Sequence, residues 1–124
     1  MSVMVVWIDP EHARLFYFSE EKMERKIVRA PALRDFQEEN LEEGEAEARF
    51  FEEICSQLLP VGSVLLMGPG EEKDRFRHYL QYRYPLLGRK VVGCETVDLP
   101  SDPQIAAIAS RYFRSGKAAP GWGG

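Results

Sequence analysis

Carboxylates follow the first and last of the apolar runs that we predict to be strands. Asp9 ends the first run, and Glu95 and Asp98 lie at the end of the last one. Carboxylates that converge at strand ends can bind Mg²⁺ and support phosphodiester cleavage. A further ligand is available from one of four glutamates between these runs: Glu45, Glu47, Glu52 or Glu53. Asp9 opens an Asp-Pro turn and Asp98 closely precedes a proline. Turn chemistry therefore explains both, and we predict no metal site and no metal-dependent nuclease.

The histidines and cysteines do not indicate nucleophilic catalysis. His12 and His78 have no evident serine or cysteine partner along the sequence, although pairing in space stays open. Cys55 and Cys94 lack metal-binding or redox spacing and lie in apolar segments. We therefore expect both cysteines to be buried free thiols.

A glycine-rich turn precedes the central helix. Gly68-Pro69-Gly70 can neither continue a strand nor lie deep inside a helix. Backbone N–H groups at a helix start can bind phosphate, but Glu71, Glu72 and Asp74 would repel it, and Lys73 is the only nearby cation. Because the G-x-x-x-x-G-K-[ST] pattern is missing, we predict a structural turn and no cofactor.

Basic and aromatic residues are interleaved along this helix and the connector after it. They are Lys73, Arg75, Arg77, Tyr79, Tyr82, Arg83, Arg89 and Lys90. Arginine and lysine neutralise phosphates, and tyrosine rings stack on unpaired bases, so the set is typical of an RNA-binding surface. The alternative is a solvated helix face on which arginine stems cover apolar neighbours. We predict that these residues contact RNA or a protein partner.

The chain that must position these side chains has the predicted order β-β-β-α-β-α-β-α. Apolar runs predict strands at Val3–Ile8, Ala13–Ser19, Met23–Ala30, Ser63–Met67 and Arg89–Val97. Spaced apolar residues and caps predict helices at Glu45–Leu59, at Glu71–Tyr84 and from the capping box at Ser101 onward. An antiparallel opening and a parallel second half predict an α/β fold, a ribonuclease-H-like mixed sheet with helices on its faces.

The apolar content of the runs predicts their places in the sheet. The runs Val3–Ile8, Ser63–Met67 and Arg89–Cys94 are the most apolar, so we predict that they are central strands. Met23–Ala30 is interrupted by charges, so we place it at or near an edge. The segment Pro31–Gly44 is dense in acidic residues and is predicted to be a flexible loop.

Length and charge limit the domain organisation and the partners. The 124 residues fit one domain, placed at residues 1–114, followed by a Gly-rich tail at 115–124. The net charge of −4 argues against gripping nucleic acid by bulk electrostatics, and we expect no DNA specificity. The N-terminus has no basic flank and only a short apolar run, so we expect no signal peptide, no membrane span and a cytoplasmic location.

Three stretches resemble a family of small bacterial proteins that are often called translational machinery proteins and are related to host-attachment proteins. The stretches are VVWIDPEHARLFYF, VLLMGPGEEKDRFRHYL and GRKVVGCETVDLPSDPQIAAIASRYF. Their most specific parts are Trp7-Ile8-Asp9, Gly68-Pro69-Gly70 with Lys73 and Phe76, and Glu95-Thr96-Val97-Asp98. The family in turn resembles the central domain of eukaryotic and archaeal peptide-chain release factors. This resemblance implies a ribonuclease-H-like fold and a role in translation.

The resemblance also shows where an activity would reside. In release factors, the loop before the first long helix carries a Gly-Gly-Gln motif that enters the ribosomal peptidyl-transferase centre and promotes peptidyl-tRNA hydrolysis. The corresponding region, Pro31–Gly44, has Gln37 between Phe36 and Glu38 and lacks that motif. We therefore predict a non-catalytic, translation-associated binding module that contacts the ribosome or tRNA, or otherwise a protein. The alternative is a ribosome-rescue peptidyl-tRNA hydrolase in which Gln37 orients water.

Overall fold

The structure is a computed structural model that describes residues 3–18, 23–30, 43–58 and 61–114. These residues form five strands and four helices. The strands are β1 (Val3–Ile8), β2 (His12–Phe18), β3 (Met23–Arg29), β4 (Ser63–Gly68) and β5 (Val91–Thr96). The helices are α1 (Glu43–Leu58), α2 (Glu72–Arg83), α3 (Pro85–Gly88) and α4 (Asp102–Arg114). The short helix α3 occupies a segment in which we predicted only a connector.

The five strands form one mixed sheet in the order β3-β2-β1-β4-β5. β1 pairs antiparallel with β2, β2 pairs antiparallel with β3, and β4 lies parallel to both β1 and β5. The prediction of a ribonuclease-H-like α/β fold with a mixed sheet is therefore confirmed. The predicted antiparallel opening and parallel second half are both present.

Three strands were predicted to be central, and this prediction is wrong for one of them, β5. β1 and β4 lie inside the sheet, but β5 is an edge strand, as is β3, for which an edge was predicted. The apolar run of β5 has another explanation. Val91 and Cys94 pack against the core on one face, while Val92 packs against the core on the other. Helices on both faces make a strand apolar, whether or not a further strand lies beside it.

The sheet separates two apolar layers, and β1 supplies both because its side chains alternate. Met4, Val6 and Ile8 lie in the layer that contains Phe50 of α1, Phe76 of α2 and Leu87 of α3. On the other face, the residues that pack together are Val3, Val5, Trp7, Phe16, Leu65, Met67, Ile105 and Ala109. That layer is therefore covered by α4, which buries Ile105 and Ala109 against the sheet.

The start of α1 and the burial of the cysteines differ in part from the predictions. α1 begins at Glu43, so the last two residues of the predicted acidic loop, Glu43 and Gly44, belong to a helix. The rest of that loop, including Gln37, and the tail at 115–124 lie outside the described residues. Cys55 is buried as expected, whereas Cys94 is only partly buried because it lies on an edge strand, and both are free thiols. No helix among the described residues is both long and apolar enough to cross a membrane.

Candidate functional site

Helix α2 carries most of the predicted site residues, and its sequence explains its limits. Glu72 and Asp74 lie in its first turn, where negative side chains interact favourably with the free backbone N–H groups of the helix N-terminus. Phe76 and Leu80 form its buried side, one turn apart. The helix ends at Arg83. The N–H of the next residue, Tyr84, donates to the carbonyl oxygen of Leu80, and the proline that follows cannot continue the helix.

At the glycine turn, the backbone that leads into α2 passes very close to the end of β1. A Cβ atom added to Gly68 would lie 2.3 Å from the carbonyl oxygen of Ile8, so only glycine fits there. The side chain of Lys73, only 6% exposed, folds back, and its Nζ donates to the carbonyl oxygen of Gly70 at 2.5 Å. The lysine therefore closes the turn from inside, and its ammonium group points away from solvent.

Arg75 joins α2 to α1 and does not point freely into solvent. Its Nε donates to Oε2 of Glu47 at 2.9 Å, and its Nη2 donates to Oε1 of the same carboxylate at 2.6 Å. Its Nε also lies 3.6 Å from Oε1 of Glu72, whose side chain is only 8% exposed. Two parallel hydrogen bonds between a guanidinium and a carboxylate give a directional pair.

The two carboxylates around Arg75 have opposite pKa shifts. Burial, followed by the hydrogen bond and negative charge of Glu47, raises the pKa of Glu72 from 4.5 to about 7. The hydrogen bond from Arg75 lowers the pKa of Glu47. Both glutamates line an open cleft of about 410 Å³, together with Pro10 and Phe50. At neutral pH, Glu47 is therefore the charged partner of the arginine, while Glu72 lies close to its titration midpoint.

A second junction between the two helices is centred on Glu52 of α1. Its carboxylate accepts hydrogen bonds from the hydroxyl groups of Tyr79 and Tyr84, and the Nε of Arg83 lies 3.4 Å from its Oε2. The tyrosine hydrogen bonds lower the pKa of Glu52, while burial and the glutamate raise the pKa of Tyr79 to about 12. Tyr79 and Arg83 therefore engage α1, and Tyr84, which was not among the predicted site residues, belongs to the same junction.

Of the remaining predicted residues, Arg77, Tyr82 and Arg89 point outward. Apart from Arg75 and Arg83, the exposed side chains of α2 and of the connector after it form a surface, here called the outer face, that comprises Asp74, Arg77, His78, Gln81, Tyr82, Pro85, Leu86 and Arg89. Tyr82 is 88% exposed and Leu86 is 73% exposed. A Cβ on Gly88 would lie 3.1 Å from the Cα of Gln81, so the connector returns to the helix just before Arg89. Lys90 is half-buried beside this face.

Charges on the outer face differ from those at the junctions. Within residues 3–18, 23–30, 43–58 and 61–114, no carboxylate forms an ion pair with Arg77 or Arg89. Arg75 and Arg83 by contrast each face a glutamate of α1. The predicted basic cluster is therefore divided into cations that hold the helices together and cations that are available to a partner.

Of the carboxylates at the strand ends, Asp9 binds backbone N–H groups of its own turn. Oδ1 of Asp9 accepts hydrogen bonds from the backbone N–H groups of Glu11 and His12, each at 2.8 Å, which is the turn that the sequence indicates. Glu95 and Asp98 are exposed. In the part of the chain that the structure describes, no three histidine, cysteine or carboxylate side chains are grouped so that they could hold a metal ion.

Sequence reasoning missed the acidic partners on α1. Glu47 and Glu52 were considered only as metal ligands, although they face Arg75 and Arg83 across the helix pair. The signal was present in the sequence, because an acidic helix and a basic helix follow each other on one side of a sheet. Opposite charges on helices that pack side by side attract each other, so ion pairs between the two helices were to be expected.

Comparison with known proteins shows what the fold resembles. The structure of a Pelota protein from Thermoplasma acidophilum is similar over 97% of this chain, with a TM-score of 0.68 and 18% sequence identity. Pelota from Archaeoglobus fulgidus is similar over 90% of the chain, with a TM-score of 0.60 and 20% identity. The archaeal translation termination factor aRF1 is similar over 82% of the chain, with a TM-score of 0.57 and 18% identity. At these identities, the similarity shows a shared fold.

The chain spans only about a third of those proteins: 35% of the Thermoplasma Pelota chain and 31% of each of the other two. It therefore resembles one part of each of them. No protein-family model matches the chain, and no curated protein sequence matches it.

Proposed function

We propose that this protein is a non-catalytic, translation-associated module that binds RNA of the ribosome or tRNA through the outer face of α2. The observation that carries the proposal is the fold that it shares with part of an archaeal translation termination factor. The predicted release-factor resemblance, based on sequence stretches, and the structural similarity lead to the same class of protein. The bacterial family identified from those stretches stays part of the proposal.

The outer face has the chemistry that RNA contact requires. Arg77 and Arg89 are exposed guanidinium groups without a carboxylate partner among the described residues, so each can neutralise a phosphate and release counterions. The ring of Tyr82, which is 88% exposed, can stack on an unpaired base. Such stacking contributes about 1–3 kcal/mol per base.

The junction residues support this face without belonging to it. Arg75 and Arg83 were predicted RNA contacts, but their charges are compensated by Glu47 and Glu52. Breaking these pairs to reach a phosphate would leave a carboxylate close to RNA, which is unfavourable. We therefore assign direct RNA contact to Arg77, Tyr82 and Arg89, and assign the orientation of α2 to the junctions.

Binding to purified ribosomes and to tRNA tests the proposal. Co-sedimentation and fluorescence anisotropy should show binding that weakens as salt rises, and Arg77→Glu combined with Arg89→Glu should reduce affinity by about a hundredfold or more. Arg111→Glu is the matched control, since Arg111 is an exposed arginine on α4, on the opposite face of the sheet. Absence of binding to ribosomes and tRNA, or binding that survives the double substitution, would refute the proposed site.

The alternative function is peptidyl-tRNA hydrolysis, which depends on Gln37, a residue outside the described part of the chain. A turnover assay with peptidyl-tRNA, with and without ribosomes, distinguishes it from binding alone. Under the present proposal the protein binds without turnover. Hydrolysis that is lost in Gln37→Ala would establish the enzyme instead.

A further inference from the structure

The ring of Tyr82 is free on both of its faces. Tyr82 is 88% exposed, and covering one face of a ring removes a large share of its accessible surface, so neither face is covered. The neighbouring tyrosines differ, because Tyr79 packs against Phe51 with ring centroids 5.3 Å apart and also contacts the ring of Tyr84. Among the described residues, no aromatic ring or guanidinium stacks on Tyr82. Tyr82 therefore offers two stacking surfaces to a ligand.

Two open clefts between α1 and α2 meet at this ring. One cleft has a volume of about 580 Å³, and Ala48 and Glu53 of α1 contribute to its wall. The other has a volume of about 510 Å³, and Phe51 of α1 and His78 of α2 contribute to its wall. Tyr82 lines both clefts, so it lies at their boundary with space on either side. Clefts of this size are in the range that holds small organic ring systems.

The charges in the clefts favour uncharged rings over phosphates. Arg83 faces Glu52 in the first cleft, and Arg75 is hydrogen-bonded to Glu47 in the second. These carboxylates repel a phosphate that enters either cleft. The backbone of a nucleic acid is better placed outside the clefts, at the two arginines of the outer face that have no carboxylate partner among the described residues. A single strand can therefore keep its phosphates outside the clefts and place its bases within them.

We propose that the protein selects single-stranded RNA by inserting the ring of Tyr82 between two consecutive bases, with one base in each cleft. The inference rests on the proposed RNA-binding function and adds the form of RNA that is bound. In a duplex, consecutive bases are stacked on each other and paired, so separating them costs free energy, and this cost is smallest in an unpaired strand. The ring therefore favours unpaired RNA of any sequence, because every base has a π face.

The affinities for one RNA sequence in its single-stranded and its duplex form test this selection. In fluorescence anisotropy titrations, the unaltered protein should bind the labelled single strand about tenfold or more tightly than the duplex. Tyr82→Phe should keep this preference, since the ring remains, and Tyr82→Ala should remove it. Leu99→Ala is the matched control, because it truncates another exposed apolar side chain, 75% exposed and beside α4.

Strands with abasic sites test the number of bases that the ring engages. One oligonucleotide keeps two adjacent bases in an otherwise abasic strand, and a second keeps a single base. The unaltered protein should bind the first about tenfold more tightly than the second, because only the first supplies a base to each face of the ring. This difference should vanish in Tyr82→Ala. Circular dichroism of each variant confirms that it is folded.

The outcomes separate this inference from the proposed function. Suppose that single-stranded and duplex RNA bind equally well, and that binding is lost in the Arg77→Glu and Arg89→Glu double variant. The outer face then binds RNA, but insertion of Tyr82 is wrong. Equal affinity for the strands with one and with two bases would likewise overturn the insertion. Absence of binding to every RNA form would overturn both the proposed function and the inference, and would leave a protein as the partner of the outer face.

Discussion

Arg75 of α2 and Glu47 of α1 form a two-point ion pair in which both carboxylate oxygens accept a hydrogen bond from the same guanidinium. An arginine of the predicted RNA-binding set thus contributes to the packing of the fold. Arg77, two residues further along the same helix, is exposed and has no carboxylate partner among the described residues. The two arginines therefore allow stability and binding to be separated.

We predict that Arg75→Ala lowers the free energy of unfolding by about 0.5–1 kcal/mol, since the pair is directional but partly exposed to solvent. Arg77→Ala should leave stability unchanged within about 0.5 kcal/mol but weaken RNA binding. Urea unfolding and anisotropy titrations on the same samples measure both quantities. Equal loss of RNA affinity in the two variants, with no stability difference, would contradict the division of the basic cluster.

Glu72 predicts a pH dependence of stability. Its pKa is raised from 4.5 to about 7, so between these values the folded protein binds more protons than the unfolded chain. The free energy of unfolding therefore decreases as pH rises. The contribution of Glu72 is fully present below about pH 4.5, and it is lost as pH rises through about 7.

A shift of this size corresponds to a change on the order of 3 kcal/mol across that window. Glu72→Gln should abolish most of the slope, because glutamine keeps the shape of the side chain without titrating. Glu47 acts in the opposite direction, since its lowered pKa makes its contribution disappear in more acidic solution. Urea unfolding at a series of pH values provides the test, and an equal slope in Glu72→Gln would rule out this assignment.

The turn before α2 predicts contrasting effects of alanine at its two glycines. A Cβ at Gly68 would lie 2.3 Å from the carbonyl oxygen of Ile8, whereas one at Gly70 would have no atom within 4 Å. Neither glycine lies in the left-handed region of backbone space. Gly68→Ala should therefore destabilise the protein by about 1–3 kcal/mol through overpacking. Gly70→Ala should change stability little, and similar melting temperatures for the two variants would argue against the close approach.

The tyrosines of α2 predict a similar contrast. The hydroxyl of Tyr79 donates to the carboxylate of Glu52, while Tyr82 is 88% exposed. Tyr79→Phe should cost about 1–2 kcal/mol of stability, since a hydrogen bond to a charged group is lost. Tyr82→Phe should leave stability unchanged and keep the stacking surface, whereas Tyr82→Ala should weaken RNA binding. Thermal unfolding of the three variants measures stability, and anisotropy titrations of the two Tyr82 variants measure RNA binding. A Tyr79→Phe variant as stable as the original would contradict the role assigned to Glu52.

The sheet was predictable because its signals are local. Hydrophobic runs, the Asp-Pro turn and the glycine turn each act within a few residues, and the parallel strand pairs follow from the helices between them. The position of β5 was not predictable from its own residues. Its valines are apolar because both faces of the strand are covered. Covered faces give the same apolar pattern in an edge strand and in a central strand, so the pattern does not show which of the two β5 is.

The site was only partly predictable, because it depends on pairing between helices. The sequence identified the basic and aromatic residues of α2, but it did not show which of them turn toward α1. Lys73 illustrates this limit, since nothing in its neighbours indicates that its ammonium group binds the carbonyl of Gly70. Two helices lying side by side decide the role of each charge, and their relative rotation is a tertiary property.

Hydrogen bonds that link the first hairpin to residues 97–102 have a consequence for synthesis. The indole N–H of Trp7 donates to the carbonyl oxygen of Val97, and the guanidinium of Arg14 donates to Pro100 and Asp102. During translation, the first hairpin leaves the exit tunnel long before these partners are made. Until α4 has been synthesised, the face of the hairpin that bears Trp7 and Phe16 stays exposed to solvent. A nascent chain interrupted before Ser101 would therefore present an uncovered aromatic surface, which makes it a substrate for chaperones or for aggregation.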